Sequence, residues 1–415
     1  MFDVIGIASR NLLRYGRRTL LTLLLIVIGM VAVLLFIAVA GSFKSMMVSQ
    51  ITDSVLGHIQ VHRKGYVASI DSLPLNLNMR PNMLAKIESE LDSNTAIAAW
   101  SPRIKFGGMF SNFAETTSIR INGIDPAREA ATVPLLSGRL QEGDKNAALV
   151  ERGQIVIPLL LARGMKTQLG DTVVVVATNR DGSVNGKTFV VRGILDSISG
   201  PGGRDGYIHI DDAREILRMT ENQVSEIVVR LKDFAQLNRV GGQLKAAVEG
   251  LTNKEGKPML EVHEWTQLSP FANIAKMIDL MTLFIKIVLV SIVLVAVMNV
   301  MIMAVYERIR EIGTIAAIGT PPSRILGLFL AEGLMLGIAG TLAGIVLSLA
   351  GIYGINVWQP TFDFGMQKGL VMAPTIAAGD VLTIAALVVV VAIIASLQPA
   401  WKASRMDPIT ALRHV

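Results

Sequence analysis

The sequence predicts a membrane protein with four transmembrane α-helices and a large α+β extracytoplasmic domain between the first and second spans. Three observations support this fold class. The 415 residues are 51% hydrophobic and 17% charged, with a mean hydropathy of +0.51, which is unusual for a soluble globular protein. Four apolar runs have about the 20 residues that a helix needs to cross a bilayer. The long stretch between the first two runs has the composition of a soluble domain.

The four spans divide the chain into nine segments. Residues 1–18 combine apolar residues with four arginines, as amphipathic helices on an anionic membrane surface do. Residues 20–40 carry no charge and exceed the usual length of a secretory signal core, so we favour an uncleaved span although Ala38-Val39-Ala40 resembles a cleavage site. The predicted segments are a cytoplasmic amphipathic segment (1–18), span one (19–41), the extracytoplasmic domain (42–275), span two (276–305), a charged cytoplasmic helix (306–324), span three (325–352), an external loop (353–379), span four (380–398) and a cytoplasmic tail (399–415).

Basic residues near the spans predict the orientation of the chain. Lysine and arginine number four in residues 1–18, three in 306–324 and three in 399–415, but one in 353–379. Cytoplasmic loops carry an excess of Lys and Arg in membrane proteins. Both termini and the 306–324 segment are therefore predicted to be cytoplasmic, and the large domain lies on the opposite side.

Residues 42–275 show the patterns of an α+β domain, with two subdomains as an alternative organisation. Two β-branched runs flank an Asn/Asp/Gly-rich stretch at 179–186, which predicts a hairpin. Pro81 near the start of an amphipathic stretch predicts a helix over 81–92. Further strands are predicted at 57–62, 118–122, 172–178, 188–192, 207–210 and 226–230, further helices at 211–219 and 234–249, and a loop at 200–206.

The sequence gives no sign of an enzyme site, a metal site or a cofactor bound by this chain. There is no cysteine, which excludes disulfides and thiolate chemistry. The segment 182–188 has three residues between its glycines where a phosphate loop needs four, and it lies between two predicted strands, so it predicts a turn. The five histidines include no His-Glu-x-x-His, which favours core or surface roles. Aromatic residues are 5% of the chain, without a basic cluster, which argues against nucleic-acid binding.

A short charged helix lies between the second and third predicted spans. It carries Glu307, Arg308, Arg310 and Glu311, and these charges require water or a protein surface because their burial in lipid costs several kcal/mol. The predicted apolar side comprises Ile312, Ile315, Ala316 and Ile318, and Pro321-Pro322 is expected to end the helix. On physical grounds alone, docking of a partner and covering of the helix bundle are equally good interpretations.

One carboxylate and four glycines stand out in the third predicted span. Glu332 lies about two turns inside it, where a carboxylate is costly and suggests a function. The alternative, which we favour, is that Glu332 faces the bundle or pairs with a cytoplasmic arginine. Glycines recur at spacings of three and four residues, which predicts close helix packing in lipid rather than a substrate role. These are Gly333, Gly337, Gly340 and Gly344.

Motifs concentrated in residues 287–413 resemble the FtsX-like permease domain of the MacB/LolCDE class of ABC transporters. They are Glu307-Arg-Ile-Arg-Glu-Ile-Gly313, Ala317-Ile-Gly319, Phe329-Leu-Ala-Glu-Gly333 with Gly340, Pro399-Ala-Trp-Lys-Ala403 and Asp407-Pro-Ile-Thr-Ala-Leu-Arg413. The proline pair after Gly319 is less typical of the class. In the large domain the similarity is weaker, and Gly57-His-Ile-Gln-Val-His62 and Trp265 resemble the branch that contains LolC and LolE.

The resemblance implies a non-catalytic permease subunit in the bacterial inner membrane. A separate ABC ATPase subunit would bind ATP and Mg²⁺, and a second permease chain, identical or related, would complete the complex. The charged helix would be the coupling helix that docks on the ATPase. The residues so implicated are Glu307, Arg308, Arg310, Glu311, Ile312, Gly313, Ala317, Ile318 and Gly319.

The favoured branch further implies the release of a lipoprotein from the outer leaflet, through a cavity walled by the first two spans, with membrane lipid and a periplasmic carrier as partners. Five apolar residues near the outer ends of those spans are candidates for this cavity, although contact with lipid or with each other is the simpler expectation: Phe36, Val39, Phe43, Met281 and Phe284. Two alternatives remain. One is MacB-type export of peptides or amphiphiles with a periplasmic adaptor, and the other is FtsX-like signalling to a cell-wall hydrolase.

Overall fold

The structure, a computed structural model, describes residues 6, 10, 14, 16–196, 205–252, 255–364, 367–407, 409 and 411. The chain divides into two compact units. The first, which we call the helical unit, comprises Met1–Ser45, Lys276–Phe362 and Val371–Val415. The second, which we call the inserted domain, comprises Met46–Ala275 with Asp363–Leu370.

The first helix, α1, extends from Gly16 to Ile51, ten residues past the predicted end of the first span at residue 41. One π-helical turn, Thr52–Leu56, follows it, and Gly57 with a φ of 67° then ends the helical path. Because a left-handed φ is easily reached by glycine, Gly57 is well suited to end the helical path here. Most of the predicted amphipathic segment 1–18 lies outside the described residues.

The inserted domain alternates strands with short helices. Its strands are β1 (Ile59–Arg63), β2 (Ile97–Ser111), β3 (Thr116–Ile124), β4 (Leu140–Glu142), β5 (Gln154–Pro158), β6 (Thr172–Thr178), β7 (Val184–Leu195), β8 (Asp205–His209), β9 (Glu226–Leu231) and β10 (Leu260–Glu264). Its helices are α2 (Pro81–Ser93), α3 (Pro126–Thr132), α4 (Leu159–Met165), α5 (Ile210–Ile216), α6 (Leu237–Glu249) and α7 (Trp265–Leu268).

All ten strands belong to one mixed sheet, with the order β10-β1-β9-β2-β3-β8-β5-β7-β4, and β6 pairs with both β2 and β7. The 15-residue strand β2 joins the two halves of this sheet. Its first part pairs antiparallel with β9, and its second part pairs antiparallel with β3 and β6. A single continuous sheet therefore runs through the region where two subdomains were an alternative.

Several local predictions for the inserted domain are confirmed. The helix predicted at 81–92 is α2, and its buried side consists of Leu84, Ile87 and Leu91. The predicted hairpin is the antiparallel pair β6–β7, although β7 begins at Val184, so the connection is shorter than the predicted 179–186. Lys187 therefore lies in a strand, as expected if 182–188 is not a phosphate loop. The predicted loop 200–206 is described only from Asp205, where β8 begins.

The helical unit continues with α8 (Phe271–Glu307), α9 (Ile309–Ala317), α10 (Pro322–Trp358) and α11 (Ala378–Ser404). Four helices among the described residues are long and apolar enough to cross a membrane: α1, α8, α10 and α11. The segment predicted as an external loop, 353–379, is more structured than expected. It includes the end of α10 and a two-stranded sheet of β11 (Thr361–Phe364) and β12 (Gln367–Val371).

The glycines of α10 allow close approach of two neighbouring helices, as their spacing predicts. A Cβ at Gly333 would lie 2.5 Å from Ser396 Oγ on α11, and a Cβ at Gly344 would lie 2.6 Å from Met30 Cβ on α1. Because real Cβ atoms essentially never approach other atoms so closely, a side chain at either position would push the helices apart. One face of α10 therefore packs on α11 and α1.

Candidate functional site

The charged segment between the second and third spans is divided between two helices. Helical geometry breaks at Arg308, whose φ of −111° and ψ of 19° lie outside the α region. Glu307 is the last residue of α8, and α9 begins at Ile309. The prediction of one short helix over this whole segment is therefore corrected, because the break gives α9 its own direction and its own buried face.

Arg308 links α9 to α10 through a buried ion pair. Its side chain is 5% exposed, and its Nη1 donates to Glu332 Oε1 at 2.9 Å. Its Nε donates to Glu311 Oε2 at 3.1 Å, and its guanidinium lies 5.6 Å from the centroid of the Phe329 ring. Glu332 is 1% exposed and faces the bundle, as the favoured interpretation of this carboxylate expects. Two charges at this depth persist only because each neutralises the other.

The buried side of α9 differs from the predicted apolar side. Ile309, Ile312 and Gly313 are buried, and Ala316 packs against the core of the helical unit. Ile315 is 39% exposed and Ile318 is 80% exposed, so the four residues predicted to form one apolar side are divided between a buried side and an exposed side. Ile312 and Ala316 are about one turn apart, as are Ile315 and Ile318, and the two pairs lie on different sides of the helix.

The exposed side of α9 combines apolar and charged groups. Ile315 and Ile318 share it with Arg310, Thr314 and Ala317. A largely exposed isoleucine beside charged residues on a helix of nine residues is a typical composition for a protein interface. We call this surface the α9 face.

Gly319, not the proline pair, ends α9. Its φ of 93° is left-handed, and the following Thr320 N–H donates to the Ile315 carbonyl at 3.3 Å, which closes the end of the helix. Pro322 occupies the first turn of α10, where the missing N–H of proline costs nothing. The expectation that Pro321-Pro322 stops the charged helix is therefore corrected, since these prolines begin the next helix.

The nine residues implicated in coupling fall into two groups. Arg308, Ile312 and Gly313 are buried, so they hold α9 in place and are not a contact surface. Glu311 is half-buried beside Arg308. The other five are exposed: Glu307, Arg310, Ala317, Ile318 and Gly319. Two residues that the motifs did not single out for this site, Ile309 and Phe329, complete the buried attachment of α9.

The five candidates for a substrate cavity lie on α1 and α8. Near them, Lys44 Nζ contacts Asp279 Oδ1 at 2.6 Å, so the two helices are neighbours at this end. Phe43 lies 6.0 Å from the Phe362 ring. Met281 is 56% and Phe284 is 68% exposed, while Phe36, Val39 and Phe43 are partly buried. The structure thus places the five on two adjacent helices and gives the α8 pair the greater exposure.

The inserted domain contains a buried ionic network at the β2–β9 pairing. The Arg103 guanidinium donates to Glu129 at 2.9 Å and to Glu226 at 3.1 Å, and Lys105 contacts Glu226 at 2.9 Å. His62 stacks on Tyr66 with ring centroids 5.3 Å apart. No group of three or more His, Asp or Glu suited to hold a metal ion occurs among the described residues. The network therefore joins strands and has no arrangement suited to metal chemistry.

Two family models match this chain. One, described as the MacB-like periplasmic core domain, covers residues 19–247, and the other, described as the FtsX-like permease C-terminal domain, covers residues 283–408. The solved periplasmic region of MacB from Actinobacillus actinomycetemcomitans is also similar, with a TM-score of 0.37 and 14% identity, covering 51% of this chain and 92% of that one.

Curated relatives include both transporters and releasing systems. The lipoprotein-releasing system transmembrane protein LolC of Neisseria meningitidis serogroup B is 23% identical over 95% of this chain and 94% of that protein. The macrolide export ATP-binding/permease protein MacB of Bdellovibrio bacteriovorus is 25% identical over 96% of this chain but 59% of that protein. With the two family models and the four apolar helices, these relatives establish a multi-pass inner-membrane protein. The chain belongs to the MacB/LolCDE class of ABC transporter permeases, with a MacB-like periplasmic core domain and an FtsX-like permease domain.

Proposed function

We propose that this permease couples ATP hydrolysis by a separate ABC ATPase subunit to movements of its inserted domain, and thereby releases or transfers lipoproteins from the inner membrane. The partner ATPase binds ATP and Mg²⁺, and a second permease chain, identical or related, completes the complex. The observation that carries the proposal is the α9 face, an exposed surface on a helix that a buried ion pair fixes to α10.

Two features of α9 suit it to receive force. Ile318, 80% exposed, is an apolar group that a partner would cover, and charged groups beside it would give such a contact its orientation. The Arg308–Glu332 pair fixes α9 to a long helix of the bundle, so a push on the α9 face moves α10 as well. A helix attached only by surface contacts would instead move by itself, without moving α10.

Replacing Ile318 by Glu is expected to weaken the contact with the ATPase. The change puts a charge at the centre of the apolar part of the α9 face, and we expect at least about tenfold less ATPase to co-purify with the chain, the equivalent of a loss of about 1.4 kcal/mol or more in binding. Expression and hydrogen exchange of the spans should not change, because Ile318 packs against little of its own chain.

Two matched variants make this test specific. Ile318→Leu keeps the apolar contact and should retain the ATPase, and Ile409→Glu adds the same charge at another exposed isoleucine, 65% exposed, in the tail. Equal retention of the ATPase by Ile318→Glu and by wild type would contradict docking on the α9 face. Loss in Ile409→Glu alone would move the contact to the tail.

The same proposal requires α9 and both termini to be cytoplasmic and the inserted domain to be periplasmic. Because the chain has no cysteine, single-cysteine variants report their own location. In spheroplasts, a membrane-impermeant maleimide should label Ser183→Cys in the β6–β7 connection. It should label Thr314→Cys and Ile409→Cys only after permeabilisation. Labelling of Thr314→Cys in intact spheroplasts would reverse the orientation.

Support for lipoprotein release comes from LolC of Neisseria meningitidis, which matches over 95% of this chain and 94% of its own length. The export alternative has its own support in MacB and in the pyoverdine export protein PvdT of Pseudomonas savastanoi, 29% identical over 54% of this chain and 33% of that protein. The two proposals differ in what meets α1 and α8. A lipoprotein would bring acyl chains to Met281 and Phe284, which are exposed and apolar.

Photocrosslinking separates the two substrates. With a photoreactive amino acid at Phe43, Met281 or Phe284, we expect crosslinks to lipoproteins that diminish on addition of ATP to the complete complex. Leu382, an equally exposed position on α11, is the control and should give crosslinks to lipid alone. Crosslinks to an adaptor or to exported peptides, with none to lipoproteins, would favour export.

A further inference from the structure

The inserted domain contains a cavity of about 170 Å³ that no step of the proposed coupling uses. Its walls come from seven separate segments: the end of α1 with the π-helical turn, the 3₁₀ helix Val67–Ser72 with Leu73, the strands β1, β2, β3 and β8, and the connection from α7 to α8. Ile51 ends α1 and Phe271 begins α8, so both helices contribute a terminal residue to this cavity.

The size and lining of the cavity suit a small apolar group. Most of its walls are hydrocarbon, contributed by Ile51, Val55, Leu56, Ile121 and Phe271 among others. An apolar protein cavity of about 150 Å³ accepts one benzene molecule. This cavity therefore accommodates about one aromatic ring or a branched aliphatic group, and it is too small for the acyl chains of a lipoprotein.

Two buried side-chain amides make the cavity favour a ligand that donates a hydrogen bond. Gln60 and Asn122 are 2% and 3% exposed. Gln60 Nε2 donates to the Leu56 carbonyl at 2.7 Å, and Asn122 Nδ2 donates to the Gly206 carbonyl at 3.5 Å. With their nitrogens engaged by backbone, their side-chain oxygens receive no hydrogen bond from any residue that the structure describes. A buried acceptor gains most from a ligand that donates a hydrogen bond.

The charges around the cavity disfavour an anion. Lys105 contacts Glu226 at 2.9 Å, and Arg120 Nε donates to Asp205 Oδ1 at 2.7 Å, so both lining cations already hold a carboxylate. The remaining lining charge is Asp71, which forms no ion pair within the described part of the chain. A ligand with a carboxylate or phosphate would find no unpaired cation, whereas an ammonium or hydroxyl group would find acceptors.

We propose that this cavity binds a small amphiphile with an apolar body about the size of one aromatic ring and a neutral or cationic hydrogen-bond donor. The ligand contacts the ends of α1 and α8, so its binding stabilises one arrangement of these ends within the inserted domain. The proposal does not depend on the ATPase or on the nature of the transported substrate, and it is tested on the permease alone.

Fluorine NMR on the full chain in lipid nanodiscs tests the proposal with three probes that share a para-fluorobenzyl group and are similar in size. We expect para-fluorophenethylamine and para-fluorophenylethanol to show saturable line broadening beyond that in empty nanodiscs. The anion para-fluorophenylacetate should bind at least about tenfold more weakly than either donor probe. Leu73→Trp places an indole at the cavity wall, from a side chain that is itself partly exposed, and should weaken both donor probes by about tenfold or more.

The matched control is Leu75→Trp, two residues along and partly exposed but not part of the wall, which should bind like wild type. Equal broadening in wild type and Leu73→Trp would overturn the site, because binding would then lie elsewhere or in the lipid. Equal binding of all three probes, lost in Leu73→Trp, would overturn the donor preference. A variant that fails to fold is recognised by hydrogen exchange, and Ile70→Trp then replaces it, since Ile70 lines the same wall.

Discussion

Replacing Arg308 by Met is expected to destabilise the helical unit by about 3–5 kcal/mol and to abolish ATP-dependent activity, because it breaks the buried ion pair with Glu332. The α9 amides should then exchange faster with solvent than in wild type, since α9 loses its attachment to α10. Hydrogen exchange of α9 and of α10 near Glu332, measured on the full chain in nanodiscs, checks the result. The exposed Arg324→Met is the matched control and should change stability by less than about 0.5 kcal/mol.

A double-mutant cycle identifies the cause of the effect. Glu332→Met alone leaves Arg308 with the half-buried Glu311 as a partner, so it should also destabilise the helical unit, but by less. The double variant Arg308→Met/Glu332→Met buries no charge, so we expect it to be more stable than either single variant. It should still lack ATP-dependent activity if the pair transmits force. A double variant as unstable as the sum of the singles would mean that the two residues act independently.

The membrane part of this fold follows directly from sequence because lipid tolerates few alternatives. Uncharged runs long enough to span must be helices, and the spacing of Gly340 and Gly344 requires a close neighbour, which the structure supplies as α1. The helix ends were less predictable. Nothing in an apolar run shows where lipid stops, nor which glycine ends the helix: α1 continues through Gly41 to Ile51, and the left-handed residue is Gly57.

Strand β2 was not predicted from the sequence because some of its charged side chains face the interior of the domain, which is the reverse of the usual pattern. Pro102, Gly107 and Gly108 argue against a central strand, and Arg103 and Lys105 resemble a solvated side. In the structure Arg103 is buried and Lys105 is partly buried, and both contact Glu226 on β9, far away in sequence. Alternation rules assume that charge faces water, so they fail where a distant carboxylate supplies the counterion.

Prediction of the candidate site from sequence is limited in the same way, because distant residues decide which charges are buried. Its charges and motifs were visible, but which charge is structural depends on a tertiary contact. Arg308 and Arg310 look equivalent in sequence, yet Arg308 is buried against Glu332, 24 residues later, and Arg310 is exposed. The sequence likewise does not show which isoleucines of this segment are covered by the bundle: Ile312 is buried, whereas Ile318 is exposed and offers an apolar contact.

Arg103→Met is expected to cost the inserted domain about 3–5 kcal/mol at neutral pH, as breaking a buried ion pair does. Glu129 loses its cation and keeps the Ser101 hydroxyl as a donor at 2.6 Å, while Glu226 keeps Lys105. Hydrogen exchange of the β2 and β9 amides in the full chain measures the loss. Arg163→Met, at an exposed position on α4, is the control and should have almost no effect. Unchanged protection of β9 in Arg103→Met would show that the network is not holding the two strands together.

The same network predicts how the domain responds to acid. Burial alone would raise the pKa of Glu226, but Lys105, His62 and Arg103 outweigh burial and hold this pKa far below its usual range. Because the folded pKa lies below the unfolded value of about 4.3, ionised Glu226 stabilises the fold above that pH, and the stabilisation is lost as pH falls below it.

In Arg103→Met the pKa of Glu226 rises, so the remaining contribution is smaller and acid unfolding should begin at a higher pH. Protection of β9 measured against pH should therefore fall earlier in the variant than in wild type. Glu226→Gln, which cannot ionise, should remove this part of the acid response, and a wild-type acid profile in Glu226→Gln would assign the response to other carboxylates.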